Sequence, residues 1–187
     1  MRIISGNLKG KKILEPKDIQ TRPLKDLTKE SIFNIIVHSN KFNIQLENSI
    51  VLDLFSGTGS FGLECLSRGS AHISFVENYK EVLIILKKNI INLDCLNNSI
   101  VIEQDIIKNL NYKIFQKQFD IIFLDPPYKE RRLLEMLNNI ILSKVLRTNG
   151  ILIIHRHKKD EDEFPEKFKI LEEKIYGISK VIFGTFL

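Results

Sequence analysis

The chain has no tryptophan, two cysteines, two methionines and five prolines among 187 residues. Cys65 and Cys95 are far apart in sequence and in no metal-type spacing, so a reducing cytoplasm is the expected compartment. No apolar run reaches the roughly 18 residues that a membrane span requires. The opening MRIISGNLKG lacks the apolar core of a signal peptide, and no membrane partner is expected. Linker-like composition and internal repeats are absent as well, which leaves a single domain with an N-terminal extension and no sequence sign of oligomerisation; a monomer is the expectation.

Apolar residues make up 43% of the chain and charged residues 27%, ordinary values for a globular protein. The net charge is +5. All of it lies in residues 1–29, where eight basic side chains face three acidic ones. A localised basic segment points to a polyanionic partner, although a chain rich in Ile, Asn and Lys also collects lysines through compositional bias. RIISGNLKGKKIL reads as two short strands around Gly6–Gly10, a basic hairpin or loop, and LTKESIFNIIVHS as a helix capped by Asp26 or Thr28. The extension is therefore assigned to residues 1–40 and the main domain to residues 41–187.

From residue 50 the pattern alternates. SIVLDLF, HISFVE, SIVIEQD, FDIIFLD and GILIIHRH are short, β-branched and apolar, and helical-length segments (60–68, 79–93, 106–116, 129–146) separate them. Strands apolar on both faces predict a parallel sheet covered by helices on both sides. The tail FKILEEKIYGISKVIFGTFL predicts an antiparallel hairpin turning at Gly177. The expected fold is α/β, a doubly wound, Rossmann-like, mostly parallel seven-stranded sheet.

Gly57-Thr58-Gly59-Ser60-Phe61-Gly62 matches G-x-G-x-x-G between the first strand and its helix, and Glu77 ends the next strand. That layout places an acid on ribose hydroxyls, with Asn78 beside it, and by itself suits NAD, FAD or S-adenosylmethionine. Asp53 discriminates between them. A carboxylate just before the glycine turn would repel a pyrophosphate, whereas the ammonium group of S-adenosyl-L-methionine could donate to it. Asp105 and the Ile106 amide, at the end of the third strand, are candidates for the adenine; Asp53 and Asp105 could equally cap their turns.

Asp125-Pro126-Pro127-Tyr128 closes the fourth strand, at the rim where open α/β sheets bind ligands. Two prolines stiffen the backbone and remove amide donors. The Asp125 carboxylate and the Pro126 carbonyl then form a fixed pair of acceptors for the two hydrogens of an exocyclic amine. Such a pair turns the nitrogen lone pair toward an electrophile by positioning alone. Tyr128 is suited to stack on an extruded base. His155 and His157 share one strand face without a third ligand, so no metal is expected and RNA contact or an exposed edge is the alternative.

These residues resemble the class I S-adenosylmethionine-dependent methyltransferases with a D/N-P-P-Y/F motif. Over nearly its whole length the chain is similar to the RsmD family of 16S ribosomal RNA guanine-N2 methyltransferases. Arg2, Ile3, Ile4, Gly6 and Gly10 match the family's opening segment, and Arg22, Pro23, Asp26, Glu30, Phe33 and Asn34 its second. The resemblance implies methylation of guanine N2 at position 966 of 16S rRNA in an assembling 30S subunit. Arg2, Lys9, Lys11, Lys12, Arg22 and Lys29 are then the RNA-contacting residues. Leu24 replaces a usual Thr, Lys29 an Arg, and Ser5 a Gly, and His155-Arg156-His157 stands where a carboxylate is expected. An NAD-dependent oxidoreductase, an inactive nucleic-acid-binding module and an adenine-N6 methyltransferase are the competing readings.

Overall fold

The computed structural model describes residues 1–16, 24–108, 111–115 and 117–187. Seven strands form one sheet: β1 (Ile50–Leu54), β2 (His72–Glu77), β3 (Ser99–Glu103), β4 (Phe119–Leu124), β5 (Leu146–His157), β6 (Phe168–Tyr176) and β7 (Ser179–Phe186). Their spatial order is β3-β2-β1-β4-β5-β7-β6. The pairings among β1 to β5 are parallel, and β7 runs antiparallel to both β5 and β6. The sheet is thus seven-stranded and mostly parallel, with the C-terminal hairpin expected from the tail. Chain order reverses between β1 and β4, so the loops leaving those strands diverge and open a crevice at their carboxyl ends.

Both faces of the central strands are buried, as apolar alternation on a two-sided sheet requires. Val51, Phe75, Ile121, Phe123 and Ile153 pack beneath α1 (Asp26–His38), α2 (Ser60–Ser67) and α3 (Lys80–Asn92). Leu52, Val76, Ile122, Leu124 and Ile154 pack against α4 (Leu133–Ser143). Stacked rings tie the first layer together, Phe33 on Phe61 at 5.2 Å and Phe61 on Phe123 at 4.0 Å between centroids.

Several local expectations are corrected. The described part of segment 106–116 is a turn at 106–108 and a single 3-10 turn at Tyr112–Ile114. Asp105 Oδ1 accepts from the amides of Ile107 and Lys108, and Asn111 Oδ1 from that of Lys113. Such local side-chain bonds compete with a helical ladder. Neither Asp26 nor Thr28 caps α1, whose N-cap is Lys25 without a side-chain bond. α4 is shorter than its segment, and β5 begins at Leu146. Of the two forms expected for the basic opening, hairpin or loop, it takes the loop, closed by one bridge, Arg2 to Lys12.

That loop is fastened to α2. The buried Glu64 carboxylate accepts from the Ile4 and Ser5 amides at 2.8 and 2.9 Å, and Ser67 Oγ donates to the Ser5 carbonyl at 2.5 Å. Gly6, at φ +83°, leaves no space for a side chain, since a Cβ there would lie 1.7 Å from the Ser67 carbonyl oxygen. Gly10 has the same φ with open space around it. Gly6→Ala should therefore cost well over ~2 kcal/mol and Gly10→Ala about 1 kcal/mol. Urea unfolding of the two variants measures the difference, which isolates the steric term from the backbone term.

Candidate active site

A cleft of about 490 Å³ lies at the carboxyl ends of β1, β2 and β4. Asp53, Gly57, Glu77, Asn78, Asp105, Asp125, Pro126, Pro127 and Tyr128 line it, as do Phe55, Tyr79, Phe123 and His155. Parallel register explains the gathering. Asp53 pairs with Phe75 on one side and Phe123 on the other, so residues near the ends of adjacent strands share one rim about 5 Å apart per strand.

Asp53 is 1% exposed. Its Oδ2 accepts from the Gly62 amide at 3.0 Å, and Oδ1 is buried with no partner among the described residues. Burial pushes this carboxyl well above the usual carboxylate range; the Gly62 bond opposes that, and the nearby Asp125 and Glu77 charges add to it. An orphaned, electrostatically uncomfortable acceptor at a cleft wall fits a ligand that brings a positive donor.

Glu77 organises the neighbouring loops. Its Oε2 accepts from the Gly57 amide at 2.9 Å, and Oε1 from the amides of Asn78 and Tyr79. A carboxylate has about four lone-pair sites, so hydroxyl donors from the cleft can still be accepted. Gly59 caps α2 in the left-handed region at φ +83°. A Cβ on Gly62 would lie 2.4 Å from the Phe75 ring, which is why helix and sheet approach so closely there. Phe55, at φ +59°, is a strained non-glycine residue in the cleft wall.

At the fourth strand end, the Pro127 carbonyl accepts from the Glu130 amide at 2.8 Å, whereas no donor among the described residues reaches the Pro126 carbonyl. Asp125 Oδ1 lies 2.8 Å from His155 Nδ1. Tyr128 meets the rings of His155 and His157 edge-on, at 6.3 and 5.1 Å. Among the described residues, this strand end therefore offers one carboxylate oxygen and one carbonyl, beside the Tyr128 ring.

Four sequence expectations change. Gly59 and Ile106 do not line the cleft; Ile106 is buried in the α4-side core, and Ile107 takes its place at the wall. Lys29 is not a surface contact. It is fully buried, donates to the Arg2 carbonyl at 2.7 Å and to Ser60 Oγ at 3.2 Å, and lies 3.6 Å from Glu64. Burial lowers its ammonium pKa against the pull of Glu64. His155 is neither at an exposed edge nor on the surface: β5 sits between β4 and β7, and the side chain turns inward to Asp125. Arg22 lies outside the described residues. Arg2, Lys9, Lys11 and Lys12 are exposed on the N-terminal loop.

Among the described residues, no cluster of three or more His, Cys, Asp or Glu side chains is placed to hold a metal ion, and no helix is long and apolar enough to cross a membrane.

The family model described as conserved hypothetical protein 95 matches residues 1–185. The chain belongs to this family, the RsmD family. Bacillus subtilis YlbH, named as an rRNA methyltransferase, is 34% identical over 185 residues, covering 97% of this chain and 96% of its own. The Haemophilus influenzae ribosomal RNA small subunit methyltransferase D is 32% identical over 179 residues, with 95% and 90% covered. A solved Haemophilus influenzae structure, named as a methylase (HI0767), superposes with a TM-score of 0.74 at 30% identity, covering 100% and 98%. The fold is that of the class I methyltransferases. Within this family member the fold supplies the rim and the strand-end acids supply its polarity.

Because the folded-state pKa of Asp53 is raised, its ionisation destabilises the ligand-free protein as pH rises above the unfolded value near ~4. Asp53→Asn keeps an acceptor for Gly62 without the charge. Thermal unfolding of the ligand-free variant should show a higher midpoint than the parent at pH 7, with the gap closing toward pH 4.

Proposed function

We propose that this RsmD-family protein transfers a methyl group from S-adenosyl-L-methionine to the exocyclic N2 of a guanine in 16S rRNA of the small ribosomal subunit. The observation that carries the reading is the pair of acceptors at the rim, Asp125 and the unengaged Pro126 carbonyl, on the strand beside the orphaned Asp53 Oδ1. Amine recognition and cation recognition then fall within one cleft.

The residues fit the cofactor. Asp53 Oδ1 would accept from an ammonium donor, Glu77 from vicinal hydroxyls, and Asp105 from the adenine amino group; all three line the cleft. When bound, S-adenosyl-L-methionine supplies a methyl group made electrophilic by its sulfonium. Asp125 and Pro126 would accept the two N–H bonds of the target amine, which fixes its lone pair toward that methyl. The Asp125 carboxylate would also take the proton that the amine sheds once the new N–C bond has formed. Tyr128 would supply the stacking face for a base taken out of its helix.

The choice of rRNA rests on the relatives' names and on the exposed basic loop, which sits on the same α2 whose first turn lines the cleft. Arg2, Lys9, Lys11 and Lys12 would meet phosphate while the cleft meets the base. An adenine-N6 amine would satisfy the same two acceptors, so the base is identified by experiment: label transfer from S-adenosyl-L-methionine to small-subunit particles lacking the modification, followed by mapping. Label on guanine N2 is expected, and label on any other atom overturns the assignment.

Asp125→Ala should lower the transfer rate by about 100-fold or more while S-adenosyl-L-methionine affinity stays within about threefold. Isothermal titration and single-turnover assays separate the two effects. The double variant Lys11→Glu, Lys12→Glu should weaken particle binding at low salt and make the log–log salt dependence less steep by about 1 to 2. An unchanged slope would show that the loop does not touch phosphate.

A further inference from the structure

The loop that carries Asp125 is held by the end of β5 from both faces of the sheet. Leu124 pairs with Ile154 in parallel register, which brings Asp125 level with His155, and their side chains meet at 2.8 Å. Arg156, the next residue on β5, points to the opposite face. It is fully buried, and its Nη2 donates to the Glu130 carbonyl at 3.0 Å and to Asp162 at 2.8 Å. Asp125–Glu130 is thus pinned at its first residue by His155 and at its last by Arg156.

Consider what the bond to His155 does to Asp125. The carboxylate is part of an acidic rim that includes Asp53 on β1, Glu77 on β2 and Asp105 after β3. A carboxylate attached to a loop through one freely rotating Cα–Cβ bond and one Cβ–Cγ bond samples several orientations. Repulsion from three neighbouring acids drives it away from the cleft, toward solvent. An ionised carboxylate can only accept, so the 2.8 Å contact requires the proton on His155 Nδ1. The imidazole itself cannot swing: it is 6% exposed, lies between β4 and β7, and has the Tyr128 ring against it.

We infer that His155 is a positioning residue whose Nδ1–H fixes Asp125 Oδ1, so that Oδ2 and the Pro126 carbonyl face the target amine together. This inference rests on the amino-group transfer proposed above. His155 touches no reacting atom in this role. It converts a mobile acid into half of a rigid two-point acceptor, and it does so through a bond of the charge-assisted kind. Its second effect is on the aromatic face, because a fixed imidazole sets the edge against which Tyr128 rests.

Two variants and one spectroscopic measurement test it. His155→Leu keeps the bulk and removes the donor. His155→Asn places an amide N–H at about the Nδ1 position. In single-turnover transfer to small-subunit particles, His155→Leu should lose about tenfold or more in rate, with KM for the particle and affinity for S-adenosyl-L-methionine within about threefold of the parent. His155→Asn should recover most of the rate. Melting temperatures of both variants provide the stability control.

Long-range nitrogen–proton correlation of the histidine rings gives a readout independent of activity. The His155 ring, identified by its disappearance in His155→Asn, should show a protonated Nδ1 in the parent. In Asp125→Ala, which removes the acceptor, that preference should be lost. A parent ring protonated at Nε2 alone overturns the inference. So does a His155→Leu protein that transfers at the parental rate, or a His155→Asn protein as slow as His155→Leu at an equal melting temperature. If the unmodified protein transfers no methyl group to any amine, the reading of the site fails and the role of His155 with it, whereas parental transfer by His155→Leu removes the role of His155 alone.

Discussion

A buried carboxylate on α2 holds the two parts of this molecule together. Glu64 is fully enclosed, where an ionised acid is costly unless every lone pair is met. Here they are met from three directions: by the Ile4 and Ser5 amides of the N-terminal loop, by Lys29 of α1, and by Arg68 at 2.8 Å from the same helix. Arg68 also lies over the Phe33 ring at 4.4 Å. Removing any one partner would leave a buried charge undercompensated. The N-terminal loop, α1 and α2 are consequently one electrostatic unit, and they share one apolar cluster through Ile3, Ile13, Phe33 and Phe61.

That unit reaches the cleft. Lys29 also donates to Ser60, the first residue of α2 and part of the cleft wall, and Leu24, just before α1, lines the same cavity. Asn89 of α3 adds a second fastening, with its amide bonded to the Leu14 carbonyl and amide and to the Thr58 carbonyl of the glycine loop. A substitution that loosens the basic loop would therefore be felt at the glycine loop and α2. On the proposed function, RNA affinity and cofactor affinity are coupled through α2 even though their residues do not touch.

How far these features were legible in the sequence depended on the distance over which each is determined. The five parallel strands, the glycine turn and the C-terminal hairpin are encoded locally, in β-branched runs, in turn residues and in alternation, and they appear where the pattern puts them. The strand-end acids were legible because a parallel sheet converts "last residue of the strand" into "residue of one rim" without further information. Lys29 was misread because its partner lies 35 residues away on another helix, and no local pattern distinguishes a lysine with a buried carboxylate beside it from a solvated one. His155 was misread for the same reason, since its partner is 30 residues away on a neighbouring strand. The helix expected over 106–116 rested on segment length alone, and in its described part Asp105 and Asn111 divert backbone amides that a helix would have used.

The charge arrangement explains why one small protein can present two opposite polarities to its partners. The cleft gathers Asp53, Glu77, Asp105 and Asp125, and the partly desolvated rim strengthens their field. Exposed Arg2, Lys9, Lys11 and Lys12 sit on the loop fastened by Glu64. On the proposed function, a polyanion would be drawn to the loop and repelled from the cleft, so that a nucleotide would enter by its base with its phosphates left outside. The same field favours a cationic ligand against Asp53. On this reading, selection between base and backbone needs no separate recognition domain. It follows from placing the positive charge on an appended loop and the negative charge at the strand ends.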